Sequence, residues 1–166
     1  MEVIAYHLVD DGSIPNHPML PLLVYLGALK GLDAGTTRER LRANGWGGDW
    51  VNGVYTFHHF HSTAHEVLVV TRGTASLLLG GERGQELTAH AGDALLLPAG
   101  TGHRCLSATP GFEVVGAYPP GQEPDLCRPD PAARPLVLGN IRRVPLPATD
   151  PVTGGPAPLL ERWSAG

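Results

Sequence analysis

The chain has 166 residues, of which 22 are glycine, 16 are proline and only 17% are charged. This length corresponds to one domain, and so many helix-breaking residues exclude a helical bundle or a coiled coil. The net charge of -4 comes without a basic block, and no apolar run approaches the roughly 18 residues of a membrane span, so we expect a cytoplasmic protein that binds neither nucleic acid nor a membrane.

Residues 1–52 are expected to form an N-terminal extension with one short helix. The apolar run from Leu20 to Leu32 suits a short strand and a short helix equally well. A brief helix capped by Thr36 or Thr37 is expected to end at Asn44-Gly45. The stretch GWGGDWVNG that follows predicts a glycine-rich loop, in which Trp46 and Trp50 form either a lid or a plug.

Residues 53–118 repeat a pattern of strand and turn. Short runs rich in Val, Leu, Thr and aromatic residues are bounded by Gly and Pro, as in VYTFHHFH, EVLVVTRG, ASLLLGG and ALLLPAG. Such spacing is typical of an antiparallel sandwich or barrel, so the fold class is all-β.

Residues 119–166 differ in composition, because 11 of the 16 prolines lie between Pro119 and Pro158. Each proline lacks a ladder donor, so this segment is not expected to supply central strands. Its apolar residues, which include Ile141 and Trp163, predict that it packs on the barrel or on a partner subunit.

Histidines cluster at the start of the strand-rich region. In an extended strand His59 and His61 share one face with Tyr55 and Phe57, whereas His58 points the other way. After a turn, Glu66 can reach the same point, and His103 can supply a fourth group. Three imidazoles and one carboxylate suit a divalent transition metal, with positions left open for a substrate.

Alternatives accompany this assignment. A bulge would turn His65 inward in place of Glu66, although alternation with the apolar residues of the next strand favours Glu66. Tyr55, Phe57 and Cys105 are candidates for the pocket wall, with ordinary core packing as the simpler interpretation. Cys105 and Cys127 could form a disulfide bond, but nothing in the sequence places them close together.

Two motifs resemble those of the cupin superfamily. Gly53-x5-His59-x-His61-x4-Glu66-x6-Gly73 looks like the first motif, and Gly92-x5-Pro98-x-Gly100-x2-His103-x3-Ser107 looks like the second, with Ser107 in place of the usual Asn. The segments DDGSIPNHP, LPLLVY, NGWGGDW, HSTAHE, GAYPPGQ and DLCR extend the similarity to the YjlB-like branch of small single-domain cupins.

The resemblance implies a single-domain jelly-roll barrel over 53–118, in a homodimer, with one metal ion per subunit held by His59, His61, Glu66 and His103. Iron ranks first among the metals, ahead of Mn, Ni, Zn and Cu. The resemblance does not fix a reaction. A dioxygenase or other oxidoreductase acting on a small organic molecule is the first hypothesis, a non-redox isomerase or lyase the second, and a non-catalytic binding or sensing protein the third.

Overall fold

The computed structural model describes residues 1–164 and contains two antiparallel sheets with short helices. The strands, in chain order, are β1 Val3–Tyr6, β2 Leu22–Tyr25, β3 Gly47–Asn52, β4 Glu66–Arg72, β5 Thr74–Leu79, β6 Gln85–His90, β7 Ala94–Leu97, β8 His103–Ala108 and β9 Glu113–Tyr118. The helices are α1 Ala34–Ala43, α2 Arg134–Arg143 and α3 Leu159–Arg162.

The larger sheet has six strands in the order β1-β2-β7-β4-β9-β3, and the smaller sheet has three in the order β6-β5-β8. The prediction of an all-β fold with a short helix is confirmed at this level. Between residues 1 and 164 the ladder hydrogen bonds form two separate sheets, and they do not close into one barrel. Strands β1, β2 and β3 show that the larger sheet also draws on residues before 53.

Apolar side chains cover both faces of the six-stranded sheet. Alternate residues of β4 point to opposite sides, so Leu68 and Val70 pack between the two sheets, whereas Val67 and Val69 face a second core. Helix α1 contributes Leu41 to that second core. Burial on both faces explains why β4 reads as a continuous apolar run rather than as an alternating one.

The second core also contains side chains from the C-terminal segment. Trp163 is fully buried there, and its indole N–H donates to the carbonyl of Pro21 at 2.8 Å. The hydroxyl of Tyr25 donates to the buried carboxylate of Asp150 at 2.6 Å. These contacts join the C-terminal segment to β2 of the six-stranded sheet and to the residue that precedes it.

Helix α1 begins three or four residues earlier than the sequence predicted. Its N-cap is Asp33, whose carboxylate accepts a hydrogen bond from the Thr36 N–H at 2.8 Å, so the expected cap at Thr36 or Thr37 was wrong. The C-cap at Asn44 agrees with the prediction, and Gly45 follows with a φ of 89°.

The predicted glycine-rich loop is largely the edge strand β3, so that prediction was also wrong. Strand β3 pairs with β9 and carries a bulge between Gly47 and Trp50. A Cβ atom on Gly116 would lie 2.3 Å from the Trp50 ring, so the glycine of β9 makes room for the indole. Such pairing across two chain segments has no local signature in a stretch rich in glycine.

The predicted strand over residues 54–61 is irregular, in contrast to the expectation. Only two isolated bridges hold it, His59 with His103 and Phe60 with Cys127. Side chains therefore alternate between two faces only around His59 and Phe60, and not over the whole of residues 54–61 as predicted.

Helix α2 was not predicted, because prolines dominate its surroundings. Pro135 lies in the first turn, where proline loses no intrahelical hydrogen bond. Val137 and Ile141 are the buried residues of this helix, and Val137 packs in a small cluster with Phe60 and Ile14. Helix α2 thus covers the outside of the histidine segment.

Ile141→Val is expected to lower the free energy of unfolding by about 0.5–1.5 kcal/mol, because it removes a methylene group from a fully buried side chain. Urea denaturation monitored by tryptophan fluorescence measures this loss. Leu136→Ala on the exposed face of α2 is the matched control and should change the value by less than about 0.5 kcal/mol. Equal losses in both variants would show that α2 does not pack as described.

Candidate metal centre

Two strand starts and one irregular segment position the candidate ligands. Glu66 begins β4, opposite Leu97 of β7, and His103 begins β8. The backbone of His59 exchanges two hydrogen bonds with that of His103, at 2.9 and 3.2 Å. This bridge brings the histidine segment alongside the second sheet.

His61, Glu66 and His103 lie close enough to share one ion. One ligand atom from each lies within 4.8 Å of the other two. The Nε2 atoms of His61 and His103 are 3.3 and 3.5 Å from the Oε1 atom of Glu66. The cluster is thus able to hold a metal ion, and its donors are of the kinds that transition metals prefer.

Hydrogen bonds to carbonyl groups orient the imidazole rings. The Nδ1 atoms of His59 and His103 lie 3.0 Å from the carbonyl oxygens of Phe57 and Thr101, and the Nδ1 atom of His61 contacts the carbonyl of Asp125. Only a protonated Nδ1 can donate to a carbonyl, so each neutral ring presents an unprotonated Nε2. This is the arrangement that metal-binding histidines use.

The Glu66 carboxylate fits a metal ligand. It is 1% exposed, and neither of its oxygens has a hydrogen-bond partner among the described residues. Leaving a buried carboxylate without a partner is costly, whereas a divalent cation would satisfy it. The residues present therefore fit a resident metal ion.

Burial and the Glu66 charge shift the pKa values of the histidines in opposite directions. Burial lowers the pKa of His103 to about 3, and the neighbouring His59 adds to this effect. Burial also opposes the charged form of His61, but the Glu66 carboxylate outweighs it and raises the pKa of His61 to about 9. A metal ion that binds His61 must therefore displace a proton.

His59 lies beside the three-residue cluster. Its ring centroid is 3.9 Å from that of His103 and 6.1 Å from that of His61, and burial lowers its pKa. It lines the same pocket as the cluster.

His65 lies on the other side of the six-stranded sheet. Its ring is fully buried, 4.9 Å from that of Trp163, and its Nδ1 accepts a hydrogen bond from the Ala99 N–H at 2.9 Å. It precedes Glu66 directly, so it shares the orientation of Val67 and not that of Glu66.

The three candidates for the pocket wall lie in different places. Tyr55 lines the pocket with 54% of its surface exposed, and its ring stacks on that of Phe57 at 4.8 Å. Phe57 in turn lies under the guanidinium of Arg128, at 4.1 Å. Cys105 packs between the two sheets. Cys105 and Cys127 are both free thiols.

The pocket in front of the cluster has a volume of about 460 Å³ and includes residues that the sequence did not single out as ligands or pocket residues. Tyr118 from β9 lies next to Glu66, and its hydroxyl accepts a hydrogen bond from the Trp50 indole at 2.7 Å. Burial and the Glu66 charge raise the pKa of Tyr118. The motif-like segments GAYPPGQ and NGWGGDW contain these two residues, and they were the available signal.

Asp125 is a further pocket residue that the sequence did not single out. Besides accepting from His61 through its carbonyl, it accepts through its carboxylate from the Ser62 N–H at 2.6 Å and from the Ser62 hydroxyl. Burial would raise the pKa of Asp125, but these hydrogen bonds lower it below its ordinary value.

Residues 122–127 hold the histidine segment along its length. Gln122 accepts from the His65 N–H at 3.0 Å, and the Thr63 hydroxyl donates to the carbonyl of Glu123 at 2.7 Å. Cys127 exchanges two backbone hydrogen bonds with Phe60. The 122–127 segment is thus part of the wall of the site, which Pro124 and Leu126 also line.

No helix within residues 1–164 is both long and apolar enough to cross a membrane.

The chain is similar in sequence to known proteins. The cupin domain family matches residues 50–115. The protein named uncharacterized protein YjlB, from Bacillus subtilis strain 168, is 44% identical over 162 residues, which cover 98% of this chain and 97% of that protein.

Solved structures show more distant similarity. A DUF861 family protein from Thermotoga maritima is 20% identical, with a TM-score of 0.32, over 51% of this chain and 89% of its own. An oxalate decarboxylase variant from Bacillus subtilis is 15% identical, with a TM-score of 0.39, over 74% of this chain and 31% of its own. The polyketide cyclase RemF from Streptomyces resistomycificus is 18% identical, with a TM-score of 0.32, over 84% of this chain and 93% of its own.

Proposed function

The chain belongs to the cupin superfamily, and from that premise we propose that it is a metal-dependent enzyme acting on a small organic molecule, with iron-dependent dioxygenation as the reaction. One observation carries the proposal. The buried Glu66 carboxylate, with no hydrogen-bond partner among the described residues, lies between the Nε2 atoms of His61 and His103 at the wall of a pocket of about 460 Å³. A structural metal site would instead be expected to be closed to a ligand.

The proposed ligands are His59, His61, Glu66 and His103, for one divalent transition metal per subunit. Iron is the first choice, and Mn, Ni, Zn and Cu are the alternatives. Glu66 is preferred to His65 because its carboxylate lies beside His61 and His103, whereas the His65 ring lies against Trp163. Iron held there would supply redox chemistry with O₂, and the organic substrate would be the source of the electrons that reduce it.

The protein's own residues hold and shield the reacting molecule. The Trp50–Tyr118 hydrogen bond fixes two aromatic side chains in the pocket wall, and Leu68 adds an apolar surface. Tyr118 keeps its proton at neutral pH, since its pKa is raised, so it can donate a hydrogen bond to a substrate oxygen. These groups orient a substrate and restrict water.

A non-redox isomerase or lyase is the second candidate. An isomerase or lyase needs an acid or a base beside the metal, and the pocket wall offers Tyr118 and Asp125 for these roles, in addition to Tyr55. The Asp125 carboxylate, however, already accepts hydrogen bonds from Ser62, which makes it a weaker base. Non-catalytic binding of a small molecule is the third candidate.

We propose that the chain divides into three segments around the metal centre. Residues 53–118 are proposed as the cupin core, and 1–52 as an N-terminal extension that adds β1, β2 and β3 to the larger sheet. Residues 119–166, of which the last two lie outside the described residues, are proposed as a proline-rich segment that packs on the barrel or on a partner subunit, in a cytoplasmic homodimer. The burial of Trp163 and the bonding of Tyr25 to Asp150 support the packing of the last segment.

Oxygen uptake by iron-loaded protein tests the reaction. With a panel of small phenols, enols and keto acids, we expect substrate-dependent O₂ consumption that zinc-loaded protein does not show. Iron-loaded protein that neither consumes O₂ nor changes its metal absorption with any member of the panel would overturn the dioxygenase proposal. Turnover by zinc-loaded protein without O₂ would favour the isomerase or lyase instead.

A further inference from the structure

The wall of the metal pocket has an uneven charge. Among the residues that the structure describes, none of those lining this pocket is lysine or arginine, whereas Glu66 and Asp125 supply two carboxylates. Arg128 lies over the Phe57 ring and is not part of the lining. A second anionic group on a substrate would therefore meet no positively charged side chain in the pocket.

The charge of the metal centre limits what it can neutralise. Three neutral imidazoles and one carboxylate around a divalent ion leave a single positive charge. One ionised oxygen donor on the substrate cancels it. Any further negative charge would be buried near Asp125 without compensation, and like charges placed together in an interface are strongly unfavourable.

The remaining lining is apolar or aromatic and suits a ring-sized molecule. Val51, Leu68 and Leu126 contribute aliphatic surface, and Trp50 and Tyr55 contribute aromatic surface. The volume of about 460 Å³ is at the small end of ligand pockets. Leu126 is 55% exposed, so it lies where the pocket meets solvent.

We propose that the substrate is a compact, largely apolar phenol or enol, which binds the metal through one ionisable oxygen group and carries no second charge. This inference rests on the proposed function, because it assumes a metal with a free position in this pocket. It excludes phosphorylated, sulfonated and dicarboxylate substrates.

Two nearly isosteric phenols test the inference. 4-Hydroxybenzenesulfonamide is neutral at its remote end, and 4-hydroxybenzenesulfonate carries a negative charge there. Each is titrated into iron(II)-loaded protein in the absence of O₂, so that no turnover occurs, and isothermal titration calorimetry gives the Kd. We expect the sulfonamide to bind at least about tenfold more tightly than the sulfonate.

Variants at the pocket mouth provide the control. Leu126→Arg adds the missing positive charge at a half-exposed position and is expected to reduce the preference by about tenfold or to reverse it. Leu146→Arg, at an exposed position outside the lining, should leave the preference unchanged.

The possible failures separate the two proposals. Equal Kd values for the two phenols, or tighter binding of the sulfonate, would overturn the charge inference and leave the proposed enzyme standing. If the protein retains iron and binds neither phenol, the substrate inference is wrong, and the O₂-uptake experiment decides the proposed enzyme separately. If the protein retains no iron, the proposed function itself fails.

Discussion

Replacing His61 with alanine is expected to lower the affinity for a divalent metal by more than about 100-fold. The Nε2 atom of His61 lies 3.3 Å from the Glu66 carboxylate, and removal of the ring leaves the buried carboxylate with one imidazole fewer to share a metal. Purification in the presence of iron, removal of free metal and elemental analysis measure the retained metal. Competition with a coloured chelator gives the change in Kd.

His90→Ala is the matched control, because its side chain is 64% exposed and lies away from the pocket. This variant should retain as much metal as the unmodified chain. Metal at 100 times its Kd should stabilise the unmodified chain by roughly 2.7 kcal/mol and so raise its melting temperature, and this gain should disappear in His61→Ala. Normal metal content in His61→Ala would show that the site has been assigned to the wrong residues.

Replacing Asp125 with alanine is expected to weaken metal binding by about 10–100-fold, although Asp125 is not a proposed ligand. Its carboxylate holds Ser62, and its carbonyl orients the neighbouring His61 ring. Without the carboxylate the 122–127 segment is free to shift, and the ring loses its fixed orientation. Groups that orient metal ligands commonly contribute this much affinity. The chelator competition used for His61→Ala measures the loss.

Asp125→Asn separates orientation from charge. Its amide oxygen can still accept from the Ser62 N–H, so affinity should stay within a few-fold of the unmodified chain. Asp130→Ala removes an exposed carboxylate from the same proline-rich region and should have no effect on metal binding. An Asp125→Ala variant that binds metal normally would refute the role given to Asp125.

Local patterns in the sequence predicted several elements of the fold. The C-terminal end of α1 follows from Asn44-Gly45, and the runs that became β4 and β5 were recognisable because apolar residues are bounded by glycine there. Strand β3 was not recognisable, since glycine-rich strands depend on a partner strand and on the space that Gly116 leaves for Trp50. Helix α2 was hidden because the surrounding prolines suggested irregular structure.

The residues of the candidate site were likewise only partly predictable from the sequence. His59, His61 and Glu66 are close in sequence, so their spacing alone suggested a shared site, His103 was added as a fourth group after a turn-rich stretch, and the cupin motifs pointed to the same four residues. Asp125 lies 64 residues from His61, and its role depends on a backbone carbonyl, which no residue type reveals. Tyr118 and Trp50 meet only because β9 and β3 pair. Contacts between distant segments of this kind follow from the three-dimensional fold and not from spacing.

Metal stoichiometry tests the central claim most directly. The unmodified chain and Glu66→Ala are reconstituted with iron(II) without oxygen, freed of unbound metal and analysed for iron per chain. The structure predicts close to one iron per unmodified chain and almost none in Glu66→Ala, because the buried carboxylate is the only negatively charged proposed ligand. Equal iron in the two proteins, or no retained iron in the unmodified chain, would contradict the metal centre described here.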